Sequence, residues 1–156
     1  MTWRLPRAQF EKQKGDGNRK AMKRIVDDGM SPGIIAYDGK TPIGWCAVAP
    51  RSDYVALGRS RVLKAIDTQP VWSVSCLFVA KEHRRRGVSV GMLKYAIDFV
   101  RKQGGKIVEG YPVEPHTDPA PAPFIWTGTV KSFQRAGYKE VARGSPARPI
   151  YRCHCT

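Results

Sequence analysis

One stretch, VWSVSCLFVAKEHRRRGVSVGMLKYAIDFVRK at residues 71–102, decides the fold. Residues 71–79 are rich in β-branched and aromatic side chains and contain no glycine or proline, which predicts a central strand buried on both faces. From residue 89 onward, apolar residues recur at helical spacing: Val90, Leu93, Ile97 and Val100. The stretch therefore predicts a strand, a turn and an amphipathic helix that ends at Gly104 and Gly105.

The turn contains three consecutive arginines, Arg84, Arg85 and Arg86. A turn that opens a helix presents free backbone N–H groups and the positive end of the helix dipole. Gly87 lets the backbone approach a ligand closely, and Ser89 is expected to cap the helix. The turn therefore predicts a site for an anion such as a pyrophosphate. The alternative is a solvated basic turn before a capped helix.

The order Arg84-x-x-Gly87-x-Ser89, after the Leu-Phe-Val of residues 77–79, resembles the acetyl-CoA-binding segment of GNAT-type N-acetyltransferases. The family pattern is Arg/Gln-x-x-Gly-x-Gly/Ala, with a Leu-x-Val strand end five residues before the first arginine. Val79 and Arg84 keep that spacing, and Ser89 is the departure. The resemblance implies that acetyl-CoA is a co-substrate, bound by the following residues: Leu77, Phe78, Val79, Arg84, Arg85, Arg86, Gly87, Val88, Ser89 and Val90.

The resemblance covers residues 10–150 and implies an α/β (α+β) fold, with a mixed, mostly antiparallel central sheet and helices on both faces. We expect one domain over residues 1–156. The residue patterns predict further elements, namely helices at 7–13, 18–28 and within 124–136, and strands at 34–37, 43–49, 106–111, 138–142 and 149–153.

In GNAT enzymes the strand that follows the long helix splays from the central strand and opens a slot for the pantetheine arm of the cofactor. In this chain Glu109 and Tyr111 share one face of that strand, which would place Glu109 near the slot. A carboxylate there is a candidate base that accepts a proton from the acceptor amine. The alternative is a structural glutamate held in a salt bridge.

Many GNAT enzymes also carry a tyrosine four residues before the glycine that ends the last helix, where it protonates the departing thiolate. This chain has Phe133 before Gly137. The resemblance implies that Phe133 lines the cofactor site without supplying a proton. A thiol with an ordinary pKa of about 8.5 leaves readily as a thiolate, so the missing tyrosine costs little. Ser132, Tyr111 or water would then act as the acid.

Several other segments are candidates for the acceptor site. Trp45 lies in a predicted strand, where it would line that site or simply pack in the core. Arg51 is predicted on an exposed loop as a binder of an acidic acceptor, and residues 54–67 are predicted to form a lid. The alternatives are an exposed arginine without a specific role and a segment that only connects elements at the surface. The proline-rich loop 112–123 is predicted to form a rim, with three residues that could contact substrate: Glu114, His116 and Asp118.

Lysine and arginine outnumber aspartate and glutamate by 27 to 13, so the formal net charge is +14. A basic surface attracts nucleic acid or ribosomes, so a basic nucleic-acid-binding module is one alternative function. A GNAT-fold protein that binds acyl-CoA without turnover is another. The acceptor stays open among small-molecule amines, antibiotics, peptide N-termini and lysines, and a homodimer is also left open.

The four cysteines do not predict a disulfide framework, because Cys46 and Cys76 lie in apolar strands. Cys153 and Cys155 flank a histidine but do not complete a tetrahedral metal site, so no metal is expected. No apolar run has the length of a membrane span, and the first residues lack the apolar segment of a secretory signal. We therefore expect a cytoplasmic protein.

Overall fold

The computed structural model describes residues 1–114 and 126–156. Its sheet has six strands in the order β1-β2-β3-β4-β6-β5. They are Gly33–Asp38 (β1), Thr41–Pro50 (β2), Trp72–Val79 (β3), Ile107–Gly110 (β4), Lys139–Ser145 (β5) and Arg148–His154 (β6). Strands β3 and β4 pair in parallel, and every other neighbouring pair is antiparallel. The predicted mixed, mostly antiparallel sheet is confirmed.

The helices of the described residues are Arg7–Lys12 (α1), Asp16–Asp27 (α2), Val55–Gly58 (α3), Val88–Lys102 (α4) and Val130–Arg135 (α5). Helix α4 connects β3 to β4 and packs against the first four strands. It stops before Gly104, whose φ of 80° is a left-handed conformation, as the glycine pair predicted. None of the helices in this part of the chain has the length and hydropathy of a membrane span.

The sheet separates two apolar cores, because consecutive residues of one strand belong to different cores. Val48 and Tyr151 pack in the core under α4, whereas their neighbours Ala49 and Ile150 pack in the other one. Leu57 of α3 belongs to this second core. Helices therefore cover both faces, as expected from the resemblance.

The central strand departs from the prediction at its carboxyl end. Its residues Ser73, Val74, Ser75 and Leu77 are buried, but Phe78 is 54% exposed. The prediction of burial on both faces is therefore wrong for Phe78. The reason is that Trp72, Val74, Leu77 and Val79 pack in the core under α4, whereas the opposite face lies open at Phe78.

Candidate active site

The amino-terminal end of α4 is built around Gly87. Gly87 has φ 80° and occupies the position that caps the helix, and α4 begins at Val88. The first backbone hydrogen bond of the helix runs from the Gly91 N–H to the Gly87 carbonyl, so the N–H groups of residues 88–90 have no acceptor within the helix. No side chain caps this end, and Ser89 is the second helical residue. The expectation that Ser89 caps the helix is therefore wrong.

The three arginines before Gly87 are all exposed. Arg84 donates from Nε to the Val79 carbonyl at 3.0 Å, which ties the turn to the end of β3. Arg85 has φ 61°, an uncommon conformation for a residue with a side chain. Within the described residues, no carboxylate lies at salt-bridge distance from Arg84, Arg85 or Arg86. Positive charge and helical N–H groups therefore meet at one exposed place.

Strands β3 and β4 separate after a short parallel pairing, which ends at Val74 opposite Gly110. Beyond it, the Leu77 N–H donates to the Trp126 carbonyl at 2.8 Å, and the Val113 N–H donates to the Gly128 carbonyl at 2.9 Å. Backbone from residues 126–128 therefore lies between the two separated strands. The resemblance implied a splayed pair at this place, but the sequence did not indicate that this segment would enter it.

The direction of the backbone N–H groups in β3 follows from its pairing with β2. The Ala80 N–H donates to the Ile43 carbonyl of β2 at 2.8 Å. Because N–H groups alternate along a strand, that of Val79 points away from β2, toward the side where β3 and β4 separate. Earlier in the strand, Cys76 pairs with Ala47 and Val74 pairs with Val48, so Ser75 is the extra residue of a β-bulge.

Phe133 lies in the core beside the separated strands. It is fully buried, and its ring stands at 75° to that of Tyr138, with 5.1 Å between the centroids. A Cβ atom on Gly110 or Gly128 would clash with this ring, so both glycines are needed for the close packing. Leu77 also contacts Gly128 from the β3 side. Phe133 therefore lies next to the strand end that was predicted to bind the cofactor.

Glu109 is 1% exposed and has hydrogen-bond partners on both carboxylate oxygens. Its Oε1 accepts from Arg51 Nη1 at 3.1 Å and from the Tyr111 hydroxyl at 2.7 Å. Its Oε2 accepts from Arg152 Nε at 2.8 Å. This arrangement corresponds to the alternative that the sequence left open, a structural glutamate between two cations.

The contacts around Glu109 extend in two directions and form what we call the ion network. Arg152 donates from Nη1 and Nη2 to the two oxygens of Asp67 at 2.6 Å and 3.1 Å. This pair lowers the pKa of Asp67 to about 2. On the other side, the Tyr111 hydroxyl lies 2.7 Å from Ser73 Oγ. Burial raises the pKa of Tyr111 far above its ordinary value.

The ion network is distant from the arginine turn. The Tyr111 hydroxyl lies beside Ser73, which precedes Leu77 by four residues, or roughly 13 Å along an extended strand. The structure therefore brings Glu109 and Tyr111 together but does not bring them to the turn. A catalytic role for Glu109 and Tyr111 therefore stays a prediction. Sequence reasoning had no signal for their partner Arg152, which lies 43 residues from Glu109.

Other candidates also have partners within the protein. Arg51 is largely buried, and its Nη2 donates to the carbonyls of Leu57 and Leu63, which ties the predicted lid segment to the sheet. The prediction of Arg51 as an exposed binder is therefore wrong. Ser132 Oγ lies 2.6 Å from Oγ1 of Thr129, which caps α5. Glu114 accepts from Arg143 at 2.6 Å, whereas His116 and Asp118 lie outside the described residues.

A cavity of about 740 Å³ lies at the other end of α4. Its lining includes Tyr54, Val71, Trp72 and the glycine pair that follows the helix. Helix α4 has 15 residues and is therefore about 22 Å long, so the cavity and the arginine turn lie at opposite ends of it. No group of three or more His, Cys, Asp or Glu side chains within residues 1–114 and 126–156 is arranged to hold a metal ion.

A sequence model described as the acetyltransferase (GNAT) family matches residues 1–122. No curated protein matches the chain. Solved structures do match it, including a protein from Desulfovibrio desulfuricans assigned to the GNAT acetyltransferases, with a TM-score of 0.58 and 17% identity over 90% of this chain and 80% of that one.

Two more solved structures have a similar fold. An acetyltransferase of the GNAT family from Streptococcus agalactiae has a TM-score of 0.55 and 14% identity, over 94% of this chain and 77% of its own. The YncA protein of Salmonella typhimurium, solved with acetyl-CoA as its cofactor, has a TM-score of 0.57 and 12% identity, over 89% and 73%. At these identities the likeness shows the fold.

Proposed function

This chain belongs to the GNAT acetyltransferase family, and we propose that it transfers an acetyl group from acetyl-CoA to a primary amine by direct attack in a ternary complex. One observation carries the proposal. The exposed arginines at 84–86 and the amino-terminal end of α4, which no side chain caps, come after the central strand in the order that the family pattern requires. Acetyl-CoA, as co-substrate, supplies an acetyl group activated as a thioester.

The residues at this end of α4 fit a pyrophosphate. The backbone N–H groups of Val88, Ser89 and Val90 have no acceptor within the helix, and the helix dipole adds positive potential at the same point. The guanidinium groups at 84–86 supply charge-assisted donors. Gly87 has no heavy atom within 4 Å of the position where a Cβ would stand, so the turn is open on its outer side.

The strand end from Leu77 to Val79, with Phe133 beside it, would hold the pantetheine arm and the thioester. Because the Leu77 N–H already donates to the Trp126 carbonyl, Val79 is the better candidate to donate to the thioester oxygen. The amine nitrogen attacks the acetyl carbon, the C–N bond forms and the C–S bond breaks. The sulfur leaves with the bonding electron pair, and the nitrogen loses its proton to water.

In this scheme water takes the proton of the amine, and Glu109 does not. The carboxylate of Glu109 already accepts hydrogen bonds from two arginines and the Tyr111 hydroxyl. Ser132 of α5 and water are the candidate acids in this scheme. Binding of an acyl-CoA without turnover is the second candidate function. The observation that favours it is that the side chain of Phe133 carries no hydroxyl at the position of the family tyrosine.

The experiment that tests the proposal measures free thiol released from acetyl-CoA with and without a panel of primary amines. We expect release that depends on the amine, with the acetylated amine detected by mass spectrometry. Binding of acetyl-CoA without release for any amine would contradict the proposal and support the second candidate. A control without amine measures hydrolysis of the thioester by water.

A further inference from the structure

Three apolar side chains lie next to each other across three strands of the sheet. Ile35 of β1 pairs with Trp45 of β2, and Trp45 pairs with Phe78 of β3. Residues that are directly opposite in neighbouring strands project from the same face. We call these three residues the aromatic face.

The aromatic face is on the side of the sheet away from α4. Gly44 and Cys46, the neighbours of Trp45 along β2, lie on the α4 side: a Cβ on Gly44 would stand 3.0 Å from the sulfur of Met92, and Cys46 packs in the core under α4. Trp45 therefore projects to the opposite side. Its ring covers Gly33 there, since a Cβ added to Gly33 would stand 2.7 Å from the Trp45 ring.

A large part of this apolar surface is accessible to solvent. Ile35 is 50% exposed and Phe78 is 54% exposed, while Trp45 is half-buried between them. Exposed apolar side chains that are contiguous across three strands often mark a binding site, whereas single ones are ordinary. The three side chains carry no charge and no acidic group, so they would bind an apolar body better than a polar one.

The aromatic face is continuous with the proposed acyl site. Phe78 lies between Leu77 and Val79, whose backbone lines the separation of β3 and β4. Next to Leu77, Trp126 stacks on Trp3 with 5.8 Å between the ring centroids, and Trp3 packs against the core on the same side of the sheet. An amine that reaches the thioester from this side would therefore pass over apolar and aromatic surface.

The charge of the chain restricts the acceptor further. Lysine and arginine exceed aspartate and glutamate by 14, so the field of the protein repels polycations. On the basis of the proposed function, we infer that the acceptor is a primary amine with an aromatic or branched aliphatic body and no second positive charge. Ile35, Trp45 and Phe78 bind that body and determine the specificity for it.

The test compares kcat/KM for three probe amines: 2-phenylethylamine, ethylamine and spermidine. Burial of a single methylene group changes kcat/KM by roughly 10-fold or more, so we expect 2-phenylethylamine to exceed ethylamine by at least about 10-fold. Spermidine is expected to be the poorest of the three. Equal kcat/KM values for the three amines, or a preference for spermidine, would overturn the inference and leave acetyl transfer itself intact.

One variant with a matched control assigns the preference to the aromatic face. Ile35→Ala and Val141→Ala each shorten a branched aliphatic residue that is about half exposed, at 50% and 47%, and the two lie in opposite edge strands of the sheet. The ratio of kcat/KM for 2-phenylethylamine to that for ethylamine should fall several-fold in Ile35→Ala and stay unchanged in Val141→Ala. An equal ratio in both variants would overturn the inference.

Phe78→Ala and Phe78→Leu are compared by the same ratio of kcat/KM for the two amines. This ratio cancels any effect of the substitution on the binding of acetyl-CoA. The alanine variant should lose most of the preference, mainly through KM, and the leucine variant should regain much of it. If no amine is acetylated, the proposed function fails, and binding decides the inference instead. In that case 2-phenylethylamine should still shift the Trp45 indole N–H resonance, and an unshifted resonance would overturn the inference.

Discussion

Two groups of arginines in this chain have opposite surroundings. Arg84, Arg85 and Arg86 are exposed, and within the described residues no carboxylate pairs with them. Arg51 and Arg152 are largely buried, and both donate to the carboxylate of Glu109. The same side chain therefore binds an internal anion in one place and remains free for an external anion in the other.

The comparison shows that charge alone does not identify a site. The ion network contains acids, arginines and a tyrosine close together, which is the composition expected of a catalytic centre. Its donors and acceptors nevertheless bind one another, and it joins β3, β4 and β6 to the segment before β3. The arginine turn makes few internal contacts, so its charge remains for a ligand. Mutations in the ion network should therefore affect stability, and mutations in the arginine turn should affect binding.

The largest expected effect is on stability, in Glu109→Ala. Removing this carboxylate leaves Arg51 and Arg152 buried without their shared partner, so the free energy of unfolding should fall by about 3–5 kcal/mol. Urea denaturation measures it. Glu82→Ala is the control, because this exposed carboxylate lies next to the arginine turn and should change stability by less than about 0.5 kcal/mol. Equal losses in both variants would contradict a structural role for Glu109.

The next effect is on binding, in Arg84→Ala. A charge-assisted hydrogen bond to a phosphate contributes roughly 1.5–3 kcal/mol, so the Kd for coenzyme A should rise by about 10-fold or more. The urea midpoint should change little, because Arg84 is exposed. Arg51→Ala should show the reverse pattern, with lower stability and a smaller change in Kd for the protein that remains folded. Loss of stability without loss of affinity in Arg84→Ala would break the comparison.

A smaller effect concerns the pH dependence of stability through Asp67. Arg152 lowers the pKa of Asp67 to about 2 in the folded protein, from an ordinary value of about 4. The contribution of this pair to stability is therefore complete above about pH 4 and is lost as the pH falls toward about 2. The difference in unfolding free energy between the wild type and Asp67→Asn should narrow over that range. A difference that stays constant with pH would contradict the prediction.

The smallest expected effect is on the rate in Glu109→Gln. If the carboxylate only holds Arg51 and Arg152, the rate per folded molecule should keep the pH profile of the wild type. The rate is measured between pH 6 and pH 9 and corrected for the folded fraction at each pH. A selective loss of rate at low pH would restore Glu109 as the base.

The sequence predicted what depends on local signals. The strand, turn and helix of residues 71–102 and the strands predicted at 34–37 and 43–49 follow from periodicity and turn residues, which act over a few positions. The cap of α4 was assigned to Ser89 because serine is a common capping residue. The structure uses Gly87 instead, since its φ of 80° is a conformation that glycine adopts without strain.

The rest depends on contacts between distant residues, for which a single sequence carries no spacing signal. Arg152 lies 85 residues from Asp67 and 43 from Glu109, so the ion network could not be read from any motif. The entry of residues 126–128 between β3 and β4 was also hidden, because backbone hydrogen bonds such as that from Leu77 do not depend on the side chain of the acceptor residue. These two features show which partners Glu109 and the Leu77 N–H have within the protein.

The central claim is that the turn before α4 binds the phosphates of coenzyme A. Calorimetric titration with acetyl-CoA and free coenzyme A tests it most directly, in the wild type, Gly87→Glu and the matched control Gly104→Glu. Gly87 and Gly104 share a φ of 80°, have open space around them and lie at opposite ends of α4, so both variants carry the same backbone strain.

The account predicts micromolar binding of both ligands to the wild type and to Gly104→Glu, with at least about 10-fold weaker binding to Gly87→Glu. The added carboxylate at residue 87 repels the phosphates and fills the approach to the helical N–H groups, whereas the one at residue 104 is distant from them. Equal affinity in all three proteins, or no binding to the wild type, would contradict the account.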